Sequence, residues 1–345
     1  MTTPRRASWL ELFFDLVLVA AVGALAPRLH EEHSVLGLAR FALLFVPVWW
    51  AWWAFTWYSA AFNSDDTVNR VALLAALYAR AWRHVPALRS LSGRYAAADA
   101  AGAATWFASL VLDDHRRPIL WAVAMVVLMG GPVLAAASTD VLSYEPDHIA
   151  ERYGLFTLIV LGESIVAIVV GLNTGSELSA VLVAVPGLVI AAAIWWLYFD
   201  RFRGMPADTI RAGFIWAQGH LLVFAGIAAA AVGVEFAIET AAEHGELELA
   251  DRLPLGAGLA AYLVAMATIR AATRRPDRVA ALRLGAAATV LTLSLADGLA
   301  PLTFVALIAT TMVAECAADL RGAPPARPHA PRLPHQLARR RTTPR

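Results

Sequence analysis

The sequence predicts an all-α, polytopic integral membrane protein, a helical bundle of about ten transmembrane helices (nine to eleven). Hydrophobic residues make up 59% of the chain and charged residues 16%, whereas an average soluble domain has about 45–50% apolar and about 25% charged residues. Many windows approach the roughly 20 apolar residues that a helix needs to cross a bilayer. A membrane β-barrel would instead show segments of about ten residues that alternate between apolar and polar side chains, and the sequence does not show this pattern.

Eleven apolar segments joined by short connections are candidate spans. They are 9–29, 36–58, 70–87, 95–112, 118–137, 149–171, 178–199, 213–234, 254–272, 280–297 and 300–318. Segment 70–87 is the weakest, because it contains Arg80, Arg83 and His84. If it lies along the cytoplasmic surface, ten spans remain, and an even number returns the chain to the side on which it began.

The arginine distribution predicts that both termini lie in the cytoplasm and that the protein resides in the bacterial cytoplasmic (inner) membrane. Arginines occur at 5–6 and again between 270 and 283, while the acidic stretch 235–251 falls on the opposite side. The N-terminal segment resembles a signal peptide. Glu11 and Asp15 interrupt its apolar region, so we expect a retained first helix.

Residues 1–320 are predicted to form a single transmembrane domain and residues 321–345 a disordered cytoplasmic tail. The last 25 residues hold seven Arg and no acid, a composition that cannot bury a core. The charge of the tail favours anionic lipid as a partner, and a nucleic-acid arm is disfavoured because the body is membrane-embedded. The other expected partners are the lipid bilayer and a small cation or a proton.

Glu163 is the most informative residue, because it lies within the apolar run 153–170. A central charge costs about 2.5–3.5 kcal/mol on insertion scales, so such residues usually face a partner, a cavity or a pathway. At 100° per residue, four polar side chains share an arc of about 120°: His148, Glu151, Arg152 and Glu163. This arc favours a polar path or a buried ion-pair network. The alternative is that the first three are interfacial and that Glu163 is protonated and hydrogen-bonded.

Glu11 and Asp15 lie one helical turn apart and therefore share a face. Two carboxylates in a low dielectric can share a proton or bind a cation, since each disfavours ionisation of the other. Glu11 could instead complement the positive end of its helix. Either acid could also pair with an arginine such as Arg152.

The remaining candidates lie at span ends or on one later helix. Asp65, Asp66 and Arg70 follow the second span and are most simply a solvated loop, while Asp200 ends the span 178–199.

His220 and Glu235 share one face of a later helix but lie near its opposite ends. A lone His in a membrane helix is most simply a packed, hydrogen-bonded residue. The tryptophans of the second span are predicted to form an aromatic belt at the membrane interface: Trp49, Trp50, Trp52, Trp53 and Trp57.

Several motifs that carry chemistry are missing from the sequence. It lacks a phosphate-binding G-x-x-x-x-G-K-[ST] loop, an H-E-x-x-H zinc helix and a G-x-S-x-G nucleophile turn. The single cysteine, Cys316, excludes an internal disulfide and a multi-cysteine metal site. We therefore expect no cofactor, no metal and no catalytic residues, and an enzyme is the less favoured class.

Three motifs occur together in the first half of the chain: Glu11-Leu-Phe-Phe-Asp-Leu-Val17, Asp65-Asp66 with Arg70, and the block from His148 to Ser164 (His-Ile-Ala-Glu-Arg-Tyr-Gly-Leu-Phe-Thr-Leu-Ile-Val-Leu-Gly-Glu-Ser). With 195–200 and 220–235, they make the chain resemble the bacterial low temperature requirement A (LtrA) family over residues 8 to about 240. The stretch 80–117 departs from the family pattern, because arginines stand in a normally apolar third span. The resemblance implies a polytopic inner-membrane protein linked by name to growth in the cold, and it brings no established reaction or substrate.

The carboxylates within the membrane favour a proton- or cation-coupled transporter or permeability protein. In this hypothesis Glu163 carries or coordinates the ion and Asp15 is its partner. Arg152 sets their pKa values, and it forms an entrance or gate together with His148 and Glu151. One alternative is a membrane-embedded enzyme that uses these carboxylates as acid and base on a lipid or lipid-linked substrate. Another is a structural or sensory membrane protein whose buried charges hold the helices together.

Overall fold

The computed structural model describes residues 7–62, most of 97–112, 116–136, 146–173, 178–199, 209–273 and 277–321, and regular structure in these residues is helical. The helices are α1 (Trp9–Gly23), α2 (Ala26–Glu31), α3 (Val35–Phe62), α4 (Arg117–Ala136), α5 (Pro146–Asn173), α6 (Leu178–Phe199), α7 (Ile210–Ala242), α8 (Leu249–Thr273), α9 (Arg278–Leu295) and α10 (Pro301–Arg321). Several predictions lie outside the described residues: Asp65, Asp66, Arg70, Asp200, segment 70–87 and the tail beyond Arg321.

Eight segments of the described chain are long and apolar enough to cross a membrane. They are Glu11–Leu29, Val35–Trp57, Pro146–Asn173, Leu178–Phe199, Arg211–Ala242, Leu249–Thr273, Arg278–Leu295 and Pro301–Arg321. Helix α4 adds a shorter apolar stretch, Ile119–Leu128. The prediction of an all-helical membrane bundle is confirmed, and ten spans stays a prediction because part of 63–116 is outside the described residues.

The first three long helices have directions that side-chain contacts define. Helices α1 and α3 run antiparallel, because Asp15 contacts Trp52 and Phe14 packs on Phe55. Helices α1 and α5 run parallel: Glu11 meets His148 where both begin, and Gly23 lies beside Glu163 further along. The start of α1, the end of α3 and the start of α5 therefore lie at one end of the bundle, which we call the network end.

The later helices continue this up-and-down order. Helix α7 runs parallel to α5 and antiparallel to α8, and α8, α9 and α10 alternate in direction. The end of α8, the start of α9 and the end of α10 therefore also lie at the network end. The opposite end, with loops 32–34 and 243–248, is called the distal end.

Helices α7 and α8 approach each other through glycines. A Cβ atom on Gly226 would lie 2.5 Å from the carbonyl oxygen of Gly258, and one on Gly258 would lie 2.6 Å from the carbonyl oxygen of Gly226. Gly233 lies equally close to the backbone of Leu255. Small residues permit such backbone contact, and packing of this kind holds membrane helices together where lipid removes the hydrophobic driving force.

The tryptophans of α3 are not an interfacial belt, so that prediction was wrong for four of the five. The buried ones are Trp49, Trp50, Trp52 and Trp53, while Trp57 is partly exposed. Trp52 stacks on Phe156 at 4.5 Å between ring centroids and meets Tyr153 edge-on at 4.7 Å. These aromatic contacts join α3 to α5, so the rings serve the core of the bundle.

Candidate functional site

An N-terminal capping box positions Glu11 at the start of α1. The Ser8 hydroxyl accepts a hydrogen bond from the Glu11 N–H at 3.3 Å, and the Ser8 N–H donates to Glu11 Oε2 at 2.7 Å. This reciprocal pair satisfies two backbone donors that the first helical turn leaves free. The prediction that Glu11 complements the helix terminus is therefore confirmed for one oxygen, and Oε1 is left to face the bundle.

The second carboxylate oxygen of Glu11, Oε1, meets His148 at the start of α5. Glu11 Oε1 lies 3.1 Å from His148 Nε2 and 3.7 Å from Arg152 Nη1. The His148 ring is buried, and Nδ1 has no hydrogen-bond partner among the described residues. His148 Nε2 is therefore the nitrogen through which the ring exchanges hydrogen bonds with the carboxylate.

Arg152 connects three helices at this level. Its Nη2 donates to Asp15 Oδ1 of α1 at 2.5 Å and to the carbonyl of Glu11 at 3.4 Å, and Nη1 donates to Ser59 Oγ of α3 at 3.0 Å. Trp52 Nε1 donates to the same Asp15 oxygen at 2.7 Å. The predicted alternative of an Asp15–Arg152 pair is thus confirmed by the geometry.

The ionisable groups of this site are almost fully removed from solvent. Glu11, Asp15, His148 and Arg152 are 0–2% exposed, and we call these four the buried network. With neutral His148 the network carries two negative charges and one positive charge, and with protonated His148 the charges balance. Because a buried unbalanced charge is costly, one proton on the His148–Glu11 pair decides whether the network is neutral.

Three polar atoms of the buried network remain without a hydrogen bond among the described residues. They are Asp15 Oδ2, Arg152 Nε and His148 Nδ1. An unsatisfied buried polar atom costs about 1–3 kcal/mol, and such atoms in native proteins call for an explanation such as a functional role or bound water. The four side chains are therefore paired with one another, and three of their polar atoms can still take part in a further hydrogen bond.

Glu163 does not join the buried network, contrary to the predicted partnership with Asp15. Its carboxylate is partly exposed and lies beside Gly23, where a Cβ atom would be 3.1 Å from Glu163 Oε2. Gly23 is eight residues beyond Asp15 on α1, or about 12 Å along the helix. In the described structure Glu163 makes no hydrogen bond or ion pair, so it forms a separate carboxylate on the α1–α5 interface.

Glu151 also separates from the predicted arc, because it is exposed. It lines an open cleft of about 350 Å³ at the network end, together with Asp147, Leu158 and Phe199. The prediction that all four residues of the 120° arc share one environment was therefore wrong. His148 and Arg152 face α1 and α3, whereas Glu151 faces outward.

His220 is a packed, hydrogen-bonded residue, as the simpler interpretation predicted. Its Nδ1 lies 2.7 Å from the carbonyl oxygen of Trp216 and its Nε2 lies 3.1 Å from the Tyr198 hydroxyl. A carbonyl can only accept, so Nδ1 carries the hydrogen and Nε2 accepts from Tyr198 in the neutral ring. Glu235 is partly exposed near the distal end of α7, and the two residues are not brought together.

Sequence reasoning missed three members of the site: Ser8, Trp52 and Ser59. The Ser-x-x-Glu spacing of residues 8–11 is the signature of a capping box and could have revealed Ser8. No sequence signal distinguishes Trp52 or Ser59 from their neighbours. As for metal ligands, the described residues contain no group of three or more His, Cys, Asp or Glu placed to hold an ion.

The sequence of this chain matches a known protein family over most of its length. The family model for the bacterial low temperature requirement A protein (LtrA) matches residues 6–79 and 71–317. The chain belongs to the LtrA family. The match spans α1 to α10, so the buried network, Glu163 and the α7–α8 glycines all fall within the LtrA region.

A relative of this LtrA protein is an uncharacterized protein of Rhizobium meliloti (strain 1021). The two chains are 29% identical over 292 residues, covering 69% of this chain and 71% of the relative. No solved structure matches the chain. Membership of the LtrA family establishes a membrane protein, and the chemistry has to be argued from the residues.

Proposed function

We propose that this LtrA-family protein is a proton-coupled membrane transporter in which the His148–Glu11 pair takes up and releases the proton. One observation carries the proposal: two acids, one arginine and one histidine are buried together inside segments able to span a membrane. Ionisable residues within a membrane are costly and commonly mark proton or ion pathways. His148 is the member whose type titrates nearest neutral pH.

The chemistry of the buried network favours a proton over a metal cation. Arg152 already neutralises Asp15 at 2.5 Å and stands 3.7 Å from Glu11, so a metal ion between the acids would meet a fixed positive charge. A proton needs no coordination sphere and can move between Glu11 Oε1 and His148 Nε2 across 3.1 Å. Arg152 therefore acts as the fixed counter-charge, and His148 with Glu11 as the exchanging pair.

The α1–α5 interface offers a second carboxylate on the way to the distal end. Glu163 lies beside Gly23 there, and the absence of a side chain on Gly23 leaves space for the carboxylate. We assign Glu163 the second proton-carrying position, about 12 Å beyond Asp15 along α1. The transported proton then moves along one helix pair whose partners run parallel.

The network end is proposed to face the cytoplasm of a bacterium, with both chain termini on that side of the inner membrane. Arginines that lie near the network end are Arg211, Arg270, Arg278 and Arg321, whereas the loop 243–248 at the distal end is acidic. Cytoplasmic loops carry an excess of Arg and Lys. The basic tail 321–345 would then meet anionic lipid of the inner leaflet.

The interactions of Arg152 favour a second candidate, a purely structural ionic lock. Arg152 bonds to α1 through Asp15 and to α3 through Ser59, so it could serve only to hold three helices in register. This candidate differs in one expectation: neutralising His148 would leave a folded protein with unchanged proton exchange.

Proton binding can be tested by capacitive currents after rapid pH jumps on proteoliposomes adsorbed to a solid-supported membrane. Wild type is expected to give a transient current on acidification, and His148→Gln is expected to abolish it. Glutamine keeps a hydrogen-bond donor toward Glu11 and cannot titrate. Glu11→Gln should reduce the current in the same way.

The control is Glu243→Gln, which removes an exposed acid at the distal end and should leave the current as in wild type. Monodisperse elution of each variant verifies folding. Wild-type currents no larger than those of protein-free liposomes would overturn proton coupling. Wild-type-sized currents in folded His148→Gln and Glu11→Gln would favour the ionic lock instead.

A further inference from the structure

A second contact between a histidine and a carboxylate lies at the distal end, where loop 32–34 meets the start of α8. His33 Nδ1 lies 2.9 Å from Asp251 Oδ1. The His33 ring also packs against Phe236 of α7, with 4.3 Å between the ring centroids. One histidine therefore joins the connection between α2 and α3 to both α7 and α8.

The start of α8 positions Asp251 much as the start of α1 positions Glu11. Asp251 is the third residue of α8, and its Oδ2 accepts a hydrogen bond from the Glu248 N–H at 3.1 Å. This bond is one half of a capping box, and the other carboxylate oxygen, Oδ1, meets His33. In both places an acid caps its helix with one oxygen and meets a histidine of another segment with the other.

The two pairs differ in their access to solvent. The side chains of Glu11 and His148 are 0–2% exposed, whereas that of His33 is 46% exposed and that of Asp251 is 12% exposed. His33 can therefore exchange a proton directly with the solution at the distal end. Histidine is the side-chain type whose charge ordinarily changes between pH 5 and 8, so the charge on this ring can follow the acidity of that solution.

The charge on the ring decides how strongly His33 and Asp251 attract each other. The contact lacks hydrogen-bond geometry, since Asp251 Oδ1 accepts no hydrogen bond from the described residues. A protonated ring forms an ion pair with the carboxylate, and an opposite charge at this distance favours the protonated form. The neighbouring ring of Phe236 adds to this preference, because aromatic rings attract cations.

The elements packed around His33 carry other charged groups, and acids prevail among them. Those on its own segment are Arg28, Glu31, Glu32 and Arg40, of which Glu32 and Arg40 pair at 2.6 Å. Those of α7, α8 and their connection are Glu235, Glu239, Glu243, His244, Glu246, Glu248 and Arg252, and Arg252 donates to Asp297 at 2.5 Å. Solvent and salt screen exposed charges that are not in contact, so the carboxylate at 2.9 Å has the largest effect on the ring.

We propose that His33 and Asp251 form a proton-binding site at the distal end, where one proton taken up from the solution fastens loop 32–34 to the start of α8. The proton goes to the imidazole, and the contact then becomes an ion pair. Loop 32–34 leads directly into α3 and, through α2, back to α1. The acidity at the distal end thus sets how firmly the first three helices are held against α7 and α8. The proposal does not depend on transport through the buried network.

Carbethoxylation of the full chain in nanodiscs tests proton binding, because diethyl pyrocarbonate reacts with a neutral imidazole and not with a protonated one. Peptide mass spectrometry gives the rate for His33 alone. Asp251→Asn keeps an oxygen for the Glu248 N–H and loses the charge. In this variant His33 should react about two- to fivefold faster than in wild type in mildly acidic solution. The ratio of the two rates should fall to one in alkaline solution, where the ring is neutral in both proteins.

The matched control is Glu246→Gln, which removes an exposed acid at the same end and should give a ratio near one at every pH. A ratio of one for Asp251→Asn in mildly acidic solution would overturn the proton-binding site. A ratio above one that stays the same at every pH would also overturn it, since Asp251 would then only shield the ring from the reagent.

Backbone amide exchange tests the fastening separately. Loop 32–34 and the first turn of α8 should be better protected in wild type than in His33→Gln in mildly acidic solution, and this advantage should vanish in alkaline solution. Comparing the two proteins at each pH removes the intrinsic pH dependence of exchange. Equal protection in both proteins at both pH values would overturn the proposal. This measurement does not need Asp251→Asn, so it decides if that variant fails to elute as folded protein.

Discussion

Arg152 and Asp15 form a buried ion pair that joins α5 to α1, with Arg152 Nη2 donating to Asp15 Oδ1 at 2.5 Å. Trp52 of α3 donates to the same oxygen at 2.7 Å, so a single carboxylate oxygen holds three helices together. The second oxygen of Asp15 has no partner among the described residues. The pair is therefore both a structural connection and the fixed charge against which His148 and Glu11 exchange a proton.

Removing one member of this pair is expected to destabilise the protein strongly. Arg152→Gln should lower the free energy of unfolding by about 3–5 kcal/mol, because it leaves Asp15 as an uncompensated buried charge. Asp15→Asn should be costly for the same reason. The double variant should be less destabilised than the sum of the two single variants by about 0.5–3 kcal/mol. Unfolding in mixed micelles with rising denaturing detergent measures all three.

The matched control is the exposed pair between Arg40 and Glu32, at 2.6 Å. Solvent screens such pairs, so Glu32→Gln should change stability by about 0–1 kcal/mol. Strictly additive effects of Asp15→Asn and Arg152→Gln would contradict the direct coupling seen in the structure.

The α7–α8 interface should reject even one added methyl group. Alanine at Gly226 or Gly258 would place its Cβ atom 2.5–2.6 Å from a facing carbonyl oxygen, and we expect a loss of about 1–3 kcal/mol from overpacking. Alanine at Gly285, whose Cβ would meet nothing within 4 Å, should not destabilise the protein. Thermal unfolding followed by tryptophan fluorescence compares the three. Equal melting temperatures for the Gly226→Ala, Gly258→Ala and Gly285→Ala variants would contradict the close α7–α8 contact.

The helices and the family could be predicted from sequence because their signals are local. Apolar runs fix where a span lies, and the span predicted at 178–199 coincides with α6 (Leu178–Phe199). Charges in those runs also identified Glu11, Asp15, His148 and Arg152 as candidates. These signals depend only on the residues of one helix.

The partners of those residues could not be predicted, because periodicity along one helix does not say which helix faces it. The sequence predicted a Glu163–Asp15 pair only because both acids lie within apolar segments. In the structure Arg152 binds Asp15, and Glu163 lies beside Gly23. The contact of Arg283 on α9 with Glu315 and Asp319 on α10, each at 3.7 Å, was missed for the same reason. Its members are far apart in sequence and come together only through the antiparallel packing of α9 and α10.

Acid should weaken the connection between α8 and α9 through Asp277. This residue caps α9 and accepts hydrogen bonds from Arg270, and these bonds lower the pKa of Asp277 from 3.8 to about 2. A lowered pKa contributes stability that is present above the unfolded value and is lost as pH falls through the folded value. The melting temperature of wild type should therefore fall more steeply between about pH 4 and about pH 2 than that of Asp277→Asn.

Arg270→Gln is the matched test of the cause. It removes the main donor to Asp277, so it should flatten the same acid dependence while leaving the carboxylate in place. The Asp277 side chain is 37% exposed, so solvent weakens its interaction with Arg270. The variants are therefore compared by the slope of melting temperature against pH. Equal slopes of melting temperature against pH for wild type, Asp277→Asn and Arg270→Gln would contradict a stabilising role of the Arg270–Asp277 pair.

Glu163 should affect proton exchange without affecting the fold, which separates it from Arg152. It makes no hydrogen bond or ion pair in the described structure, so Glu163→Gln should leave the melting temperature within the scatter of wild type while reducing the pH-jump current. Gly23→Ala keeps the charge but places a Cβ atom 3.1 Å from Glu163 Oε2, so displacement of the carboxylate should also reduce the current. Glu235→Gln removes a partly exposed acid near the same end of the bundle and serves as the control with an unchanged current. A wild-type current in both Glu163→Gln and Gly23→Ala would remove Glu163 from the pathway and confine proton exchange to the His148–Glu11 pair.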